Sequence, residues 1–221
     1  MPIAMMLLFV YVFGGAIQSG TQNYVNYLLP GILLMAIASG ISYTAYRLFI
    51  DLQQGFFERL HSMSIARSTI LWGHVLTSLA ANAISVAVIL LVALMMGFRS
   101  SGGIWSWLAV AGILMLFTLA LTWIAVIAGL SAKSVDGASA FSYPLLFLPF
   151  ISSAFVPTTN MPVVVRVFAN NQPVNSIITT IRLLLTGQPV GNSPWVALAW
   201  CFGILVVAYV FAMWTYKRKI A

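Results

Sequence analysis

Acidic residues are almost missing. The 221-residue chain holds three, Asp51, Glu58 and Asp136, against ten Lys and Arg, and charged residues make up 6 % of it, where a soluble domain carries about 25 %. A paired-carboxylate mechanism needs two acids held together in one site, and these three fall at the borders of apolar segments. There is one cysteine, Cys201, so the chain forms no internal disulfide and no thiolate metal centre. The histidines His61 and His74 stand alone, and no H-E-x-x-H pattern occurs, so no metal site is expected. The chain also has no G-x-x-x-x-G-K-[ST] loop, which excludes a P-loop nucleotide site. The net charge of +7 comes from basic residues scattered over loops and helix ends, with no stripe that would suit nucleic acid.

What is there is apolar. Hydrophobic residues make up 62 % of the chain and the mean hydropathy is +1.02. These values predict an all-α membrane protein, because a helix satisfies its own backbone groups in hydrocarbon. Apolar runs predict six transmembrane helices over residues 2–17, 27–50, 68–97, 104–130, 138–156 and 194–216, forming one domain over 1–221. A span takes about 20 residues, so the first is short. Ala36, Gly40 and Thr44 lie four apart on the second span, a small-residue face suited to close helix packing. Pro144 and Pro149 are expected to kink the fifth span. Asn82, deep in the third, is expected to bond between helices. An ion-coupled secondary transporter would carry acids at mid-membrane depth and repeated halves, and neither is visible.

Two stretches break the apolar pattern. Between Arg47 and Arg67, Leu52, Phe56, Leu60 and Met63 recur at helical spacing, with Gln54, Glu58, His61 and Ser62 opposite. This predicts an amphipathic surface helix over residues 51–66. Residues 157–193 are punctuated by Pro157, Pro162, Pro173 and Pro189. Two short helices fit there, near 161–169 and 175–185, the second capped by Asn175 and stopped by Gly187. Both are too short to span and read as a re-entrant or interfacial hairpin before the last span. Arg47, Arg59, Arg67, Lys133, Lys217, Arg218 and Lys219 would share one side, and Arg99, Arg166 and Arg182 the other. The positive-inside bias puts the first set, and both termini, in the cytoplasm.

The stretch from Phe57 to Leu76, FERLHSMSIARSTILWGHVL, resembles the loop after the second span of ABC-2 type permeases. There a Glu-rich segment is followed by an arginine and a helix opening with Gly-Lys. Glu58, Arg67 and Gly73 fit, and His74 stands where lysine is common. Within Pro149 to Leu185, PFISSAFVPTTNMP and NNQPVNSIITTIRLLL are similar to the family's external region. Its marks are a Phe-x-Pro turn, a Met-Pro, an Asn-x-Pro and a helix ending Arg-x-Leu-Leu. The resemblance covers nearly the whole chain and is greatest to the drug-exporter branch typified by daunorubicin-resistance permeases.

The resemblance implies a non-enzymatic exporter subunit of a bacterial plasma membrane. It implies a dimer with a second copy or a homologous permease, surrounded by membrane lipid, and two separate ATP-binding subunits that hold ATP and Mg. This chain itself would carry no cofactor. Asp51, Phe56, Phe57, Glu58, Arg59, Leu60 and Arg67 would form the coupling helix that touches the ATPase. Pro157, Pro162, Pro173 and Arg182 would shape the external hairpin. Met35, Phe141, Phe147 and Phe150 are candidate walls of a path for a drug, lipid or lipid-linked glycan, with ordinary packing as the alternative for each. Family members have an amphipathic helix before the first span. This chain starts already apolar at Met1-Pro2, so an N-terminal truncation is expected. A non-transporting membrane anchor and an ion-coupled secondary transporter stay open as alternatives.

Overall fold

A computed structural model describes residues 2–14, 24–54 and 67–220, and among these it contains helices and turns but no strand. The helices are α1 (Pro2–Leu8, continued by a π-helical turn Phe9–Phe13), α2 (Tyr24–Gln53), α3 (Arg67–Met95), α4 (Ile104–Ser131), α5 (Val135–Ala140), α6 (Ser142–Phe147), α7 (Val163–Asn171), α8 (Pro173–Thr186) and α9 (Ser193–Ile220). Four of the expected spans, now α2, α3, α4 and α9, are long and apolar enough to cross a membrane. The other two are shorter apolar segments, Pro2–Phe13 and Val135–Ile151.

The fifth segment is broken where its prolines lie. Pro144 has no N–H to offer the Ala140 carbonyl, and α5 ends at Ala140. Pro149 likewise offers nothing to Leu145, and the chain tightens into a 3₁₀ turn at Leu148–Ile151. Ser134 caps the start of α5 by accepting from the Gly137 N–H at 3.1 Å.

α2 is the central element: every residue from Leu28 to Ala38 is buried. It packs against α4, α3, α8 and α5. The main apolar core joins α1, α2, α4, α8 and the Ala154–Phe155 turn. A second cluster, at the end holding the α2 C-terminus, groups Leu48, Leu71, Leu130 and Tyr216 around Trp123. The Trp123 ring meets Trp72 and Tyr209 edge-on at 5.3 and 4.8 Å. Small residues permit the close approaches. An added Cβ at Gly31 would come within 2.6 Å of the Ala154 Cβ, and one at Gly129 within 2.8 Å of the Ala45 carbonyl oxygen. By contrast α3 and α9 turn apolar side chains outward, among them Leu76, Ile84, Leu91, Phe202, Val207 and Val210. On helices of this length, such faces suit contact with lipid tails.

Candidate functional site

The last turn of α2 and the first turn of α3 frame the charged stretch. Phe56, Phe57, Glu58, Arg59 and Leu60 lie outside the described residues, and so does the predicted helix over 51–66 beyond Gln54. The α2 helix itself runs on through Asp51 to Gln53, and Arg67 opens α3. Asp51 Oδ2 stands 3.3 Å from Nε2 of His74, one helix facing the other. One turn before Asp51, Arg47 lies 5.8 Å from the centre of the Tyr43 ring. The Asp51–His74 pairing was not foreseen in the sequence. Its signal was positional, since both residues sit within two turns of the same interrupted hairpin.

Further into the bundle the small-residue face of α2 meets polar side chains of α3. Thr44 Oγ1 donates to Ser78 Oγ at 2.8 Å, and Ser78 Oγ lies 3.4 Å from Thr122 Oγ1 on α4. Asn82 departs from expectation. Its amide donates within its own helix to the Ser78 carbonyl at 2.9 Å, not across to a neighbour. The carbonyl one turn back is always in reach of such a side chain. Asn82 Oδ1 is buried with no hydrogen-bond partner and faces Gly40, where any Cβ would overlap it.

The opposite end is built around Arg182 of α8. Its Nη2 donates to the Ser153 carbonyl at 2.6 Å and to the Tyr27 carbonyl at 3.1 Å, and its Nε reaches Tyr27 at 3.3 Å. The guanidinium also lies 3.8 Å from the Tyr27 ring centre. Burial lowers its pKa from the usual arginine value, and Tyr27 opposes that shift. An arginine remains charged regardless. Pro157 precedes a 3₁₀ turn at Thr158–Asn160, and Pro162 precedes α7. Arg166 of α7 donates back to the Thr158, Thr159 and Met161 carbonyls. Asn175 is not the cap of the second short helix. Pro173 already occupies its first turn, after Gln172 in extended backbone. Proline has no N–H there to cap, which leaves Asn175 Oδ1 to accept from the Ser153 N–H at 2.8 Å. Gly187 does stop the helix, at φ +67°, the left-handed conformation that glycine adopts without strain.

The four candidate path residues do not come together. Met35 is buried in the main core. Phe141 packs half-buried against the same core. Phe147 and Phe150 are exposed, with ring centres 6.4 Å apart. They open a row that the sequence did not reveal: Phe150 stacks on Phe155 at 4.8 Å, Phe155 on Phe9 at 4.6 Å, and Phe9 meets Phe13 at 5.5 Å. Its members come from segments about 140 residues apart, so no local pattern carries it. Elsewhere an apolar groove of about 390 Å³ runs between α4 and α9, lined by Ile124, Trp200, Gly203 and Phe211 among others. A smaller cavity of about 130 Å³ lies beneath Pro149 and Pro173. Among the described residues, no three His, Cys, Asp or Glu gather where a metal could bind.

The profile of the ABC-2 type transporter family matches residues 1–186. The daunorubicin resistance ABC transporter permease protein DrrB1 of Streptomyces coeruleorubidus is 28 % identical over 223 residues, covering 99 % of this chain and 78 % of the relative. The probable doxorubicin resistance ABC transporter permease protein DrrC of Mycobacterium tuberculosis is 25 % identical over 222 residues, covering 99 % and 79 %.

Proposed function

This chain belongs to the ABC-2 type transporter family, a membrane permease subunit of an ABC transporter, and from that premise we infer that it exports a hydrophobic or amphiphilic compound using ATP hydrolysed by a separate partner. The named relatives are drug-resistance permeases, and a drug is the substrate class they favour over a lipid or a lipid-linked glycan. Two ATP-binding subunits, holding ATP and Mg, dock on the cytoplasmic side of a permease dimer in a bacterial plasma membrane. Closure of the ATPase pair pushes on residues 51–66 and shifts the permease between inward-open and outward-open states.

The observation that carries this reading is the gathering of charge. All three acids and seven of the ten basic residues belong to the stretch between α2 and α3 or to the neighbouring ends of α2, α4, α5 and α9. That is the surface where a soluble partner finds ionic contacts. The opposite end carries Arg99, Arg166 and Arg182 and no acid. The hairpin of α7 and α8 belongs to that outer end, its two helices spanning 9 and 14 residues, each short of a full crossing.

Glu58→Arg tests the docking reading. Reversing one charge at a partly desolvated contact costs a few kcal/mol, on the order of a hundredfold or more in affinity. A well-inserted Glu58→Arg permease is expected to lose its ATPase on co-purification and to lose export. Normal export by that protein would remove Glu58 from the docking surface.

A further inference from the structure

Asp51 and His74 lie at the foot of a regular set of contacts between α2 and α3. The pair stands at 3.3 Å, the Thr44–Ser78 hydrogen bond follows at 2.8 Å, and the Gly40–Asn82 contact closes the set. On α2 the positions step back by seven and four residues. On α3 they step forward by four and four. These are whole turns, or nearly so, on one face of each antiparallel helix. The rungs therefore lie along a single seam, and Ser78 extends it to Thr122 on α4.

A seam of this kind matters in hydrocarbon. Two apolar helices gain nothing there from the hydrophobic effect, so packing and polar contacts decide whether they slide. Above the foot, close approach at Gly40 and the Thr44–Ser78 bond resist sliding. Among the described residues, the Asp51–His74 pair is the polar contact between α2 and α3 that stands nearest to residues 55–66, beside the apolar packing of Leu48, Leu52 and Leu71. Both side chains are partly shielded, His74 at 15 % exposure and Asp51 at 31 %. Arg47 lies one turn away from Asp51 on α2, among the charged groups near His74. Its guanidinium is placed beside Tyr43.

We propose that the Asp51–His74 pair is a clasp that makes α2 and α3 move as one body when residues between them are pushed, with His74 as a positioning residue for energy coupling. The proposal rests on the reading above that this stretch docks an ATP-binding partner. His74 touches neither nucleotide nor substrate. Its role is to deliver a displacement of the loop to both helices at once, and through Ser78 and Thr122 to α4, so that it does not splay the hairpin.

The test uses the complete transporter with its ATPase, comparing Asp51→Asn, His74→Gln and the double variant. ATP hydrolysis, export and co-purification are measured together. Each single variant is expected to keep the ATPase bound and hydrolysing while export per ATP falls about tenfold. The double variant is expected to be no worse than the poorer single, as for two members of one contact. Asp51→Cys with His74→Cys, in a Cys201→Ala background, supplies a second arm independent of the polar chemistry. Bridging the two thiols with a short bis-thiosulfonate reagent should restore export relative to the unbridged protein. Unchanged export per ATP in both single variants would overturn the proposal. So would a bridged protein no better than the unbridged one, since a clasp that must open, or that transmits nothing, would behave that way. Loss of ATPase binding in the single variants would assign the pair to docking, overturning the clasp while leaving the docking reading intact. A Glu58→Arg protein that exports normally would instead strike the docking reading itself.

Discussion

Arg182 holds the Tyr27 carbonyl and covers the Tyr27 ring at once, with its guanidinium 3.8 Å from the ring centre and its Nη2 3.1 Å from the carbonyl oxygen. The same group reaches the Ser153 carbonyl at 2.6 Å. One side chain thereby joins α8, the start of α2 and the turn after the broken fifth segment. No carboxylate is needed, because a planar fork can satisfy two carbonyls and lie on a π face together.

Arg182→Lys keeps the charge and removes the fork. It should lose one carbonyl partner and most of the stacking, at a cost of about 1–3 kcal/mol. The expected readout is a lower thermal unfolding midpoint in detergent micelles, with Arg182→Met lower still. An unchanged midpoint in Arg182→Lys would show that simple charge suffices.

Gly31 and Ala154 form a contact with no spare room. Gly31→Ala should destabilise by roughly 1–3 kcal/mol through overpacking. Ala154→Gly in the same protein should recover most of that, and the second change alone should be milder. Failure of the double variant to recover stability would place the strain elsewhere. Denaturation in a common detergent compares all three.

Trp123 is 1 % exposed and meets Trp72 and Tyr209 edge-on. It ties α4 to α3 and α9 at the charged end. Trp123→Ala should cost about 3–5 kcal/mol and Trp123→Phe distinctly less. If the two variants unfold alike, ring size is not what holds the second cluster together.

Topology has a direct check. Cys201 is fully buried, and Cys201→Ala supplies a thiol-free background. Single cysteines at Ser134 and Asn192, both exposed, are expected to react with an impermeant maleimide from opposite sides, Ser134 from the cytoplasm. Reaction of both from one side would refute the arrangement of α4, the fifth segment and α9 proposed here.

Much of the molecule was legible beforehand, for local reasons. That α2, α3, α4 and α9 are long and apolar follows from hydropathy and length, and the breaks at Pro144 and Pro149 follow from missing donors. Gly187 was recognisable as a stop because a helix end in the left-handed region selects glycine. Asn175 misled because an Asn near a helix start caps it in most contexts. Here Pro173 had already removed a donor, and a distant N–H, that of Ser153, claimed the side chain. Met35 was picked as a path wall by its place on a span, but exposure depends on which neighbours cover that face.

By itself the sequence determined an all-helical membrane protein, the places of its apolar segments, and the stretch where charge collects. Those properties belong to single segments, where composition and spacing act within a few turns. Only the tertiary structure decided that Arg182 settles on Tyr27, that Asp51 meets His74, and that Phe9, Phe155 and Phe150 line up. Each of those pairings joins separate segments, and the juxtaposition depends on close helix approaches of the kind made at Gly31, Gly40 and Gly129. That is a property of packing, which no single segment carries.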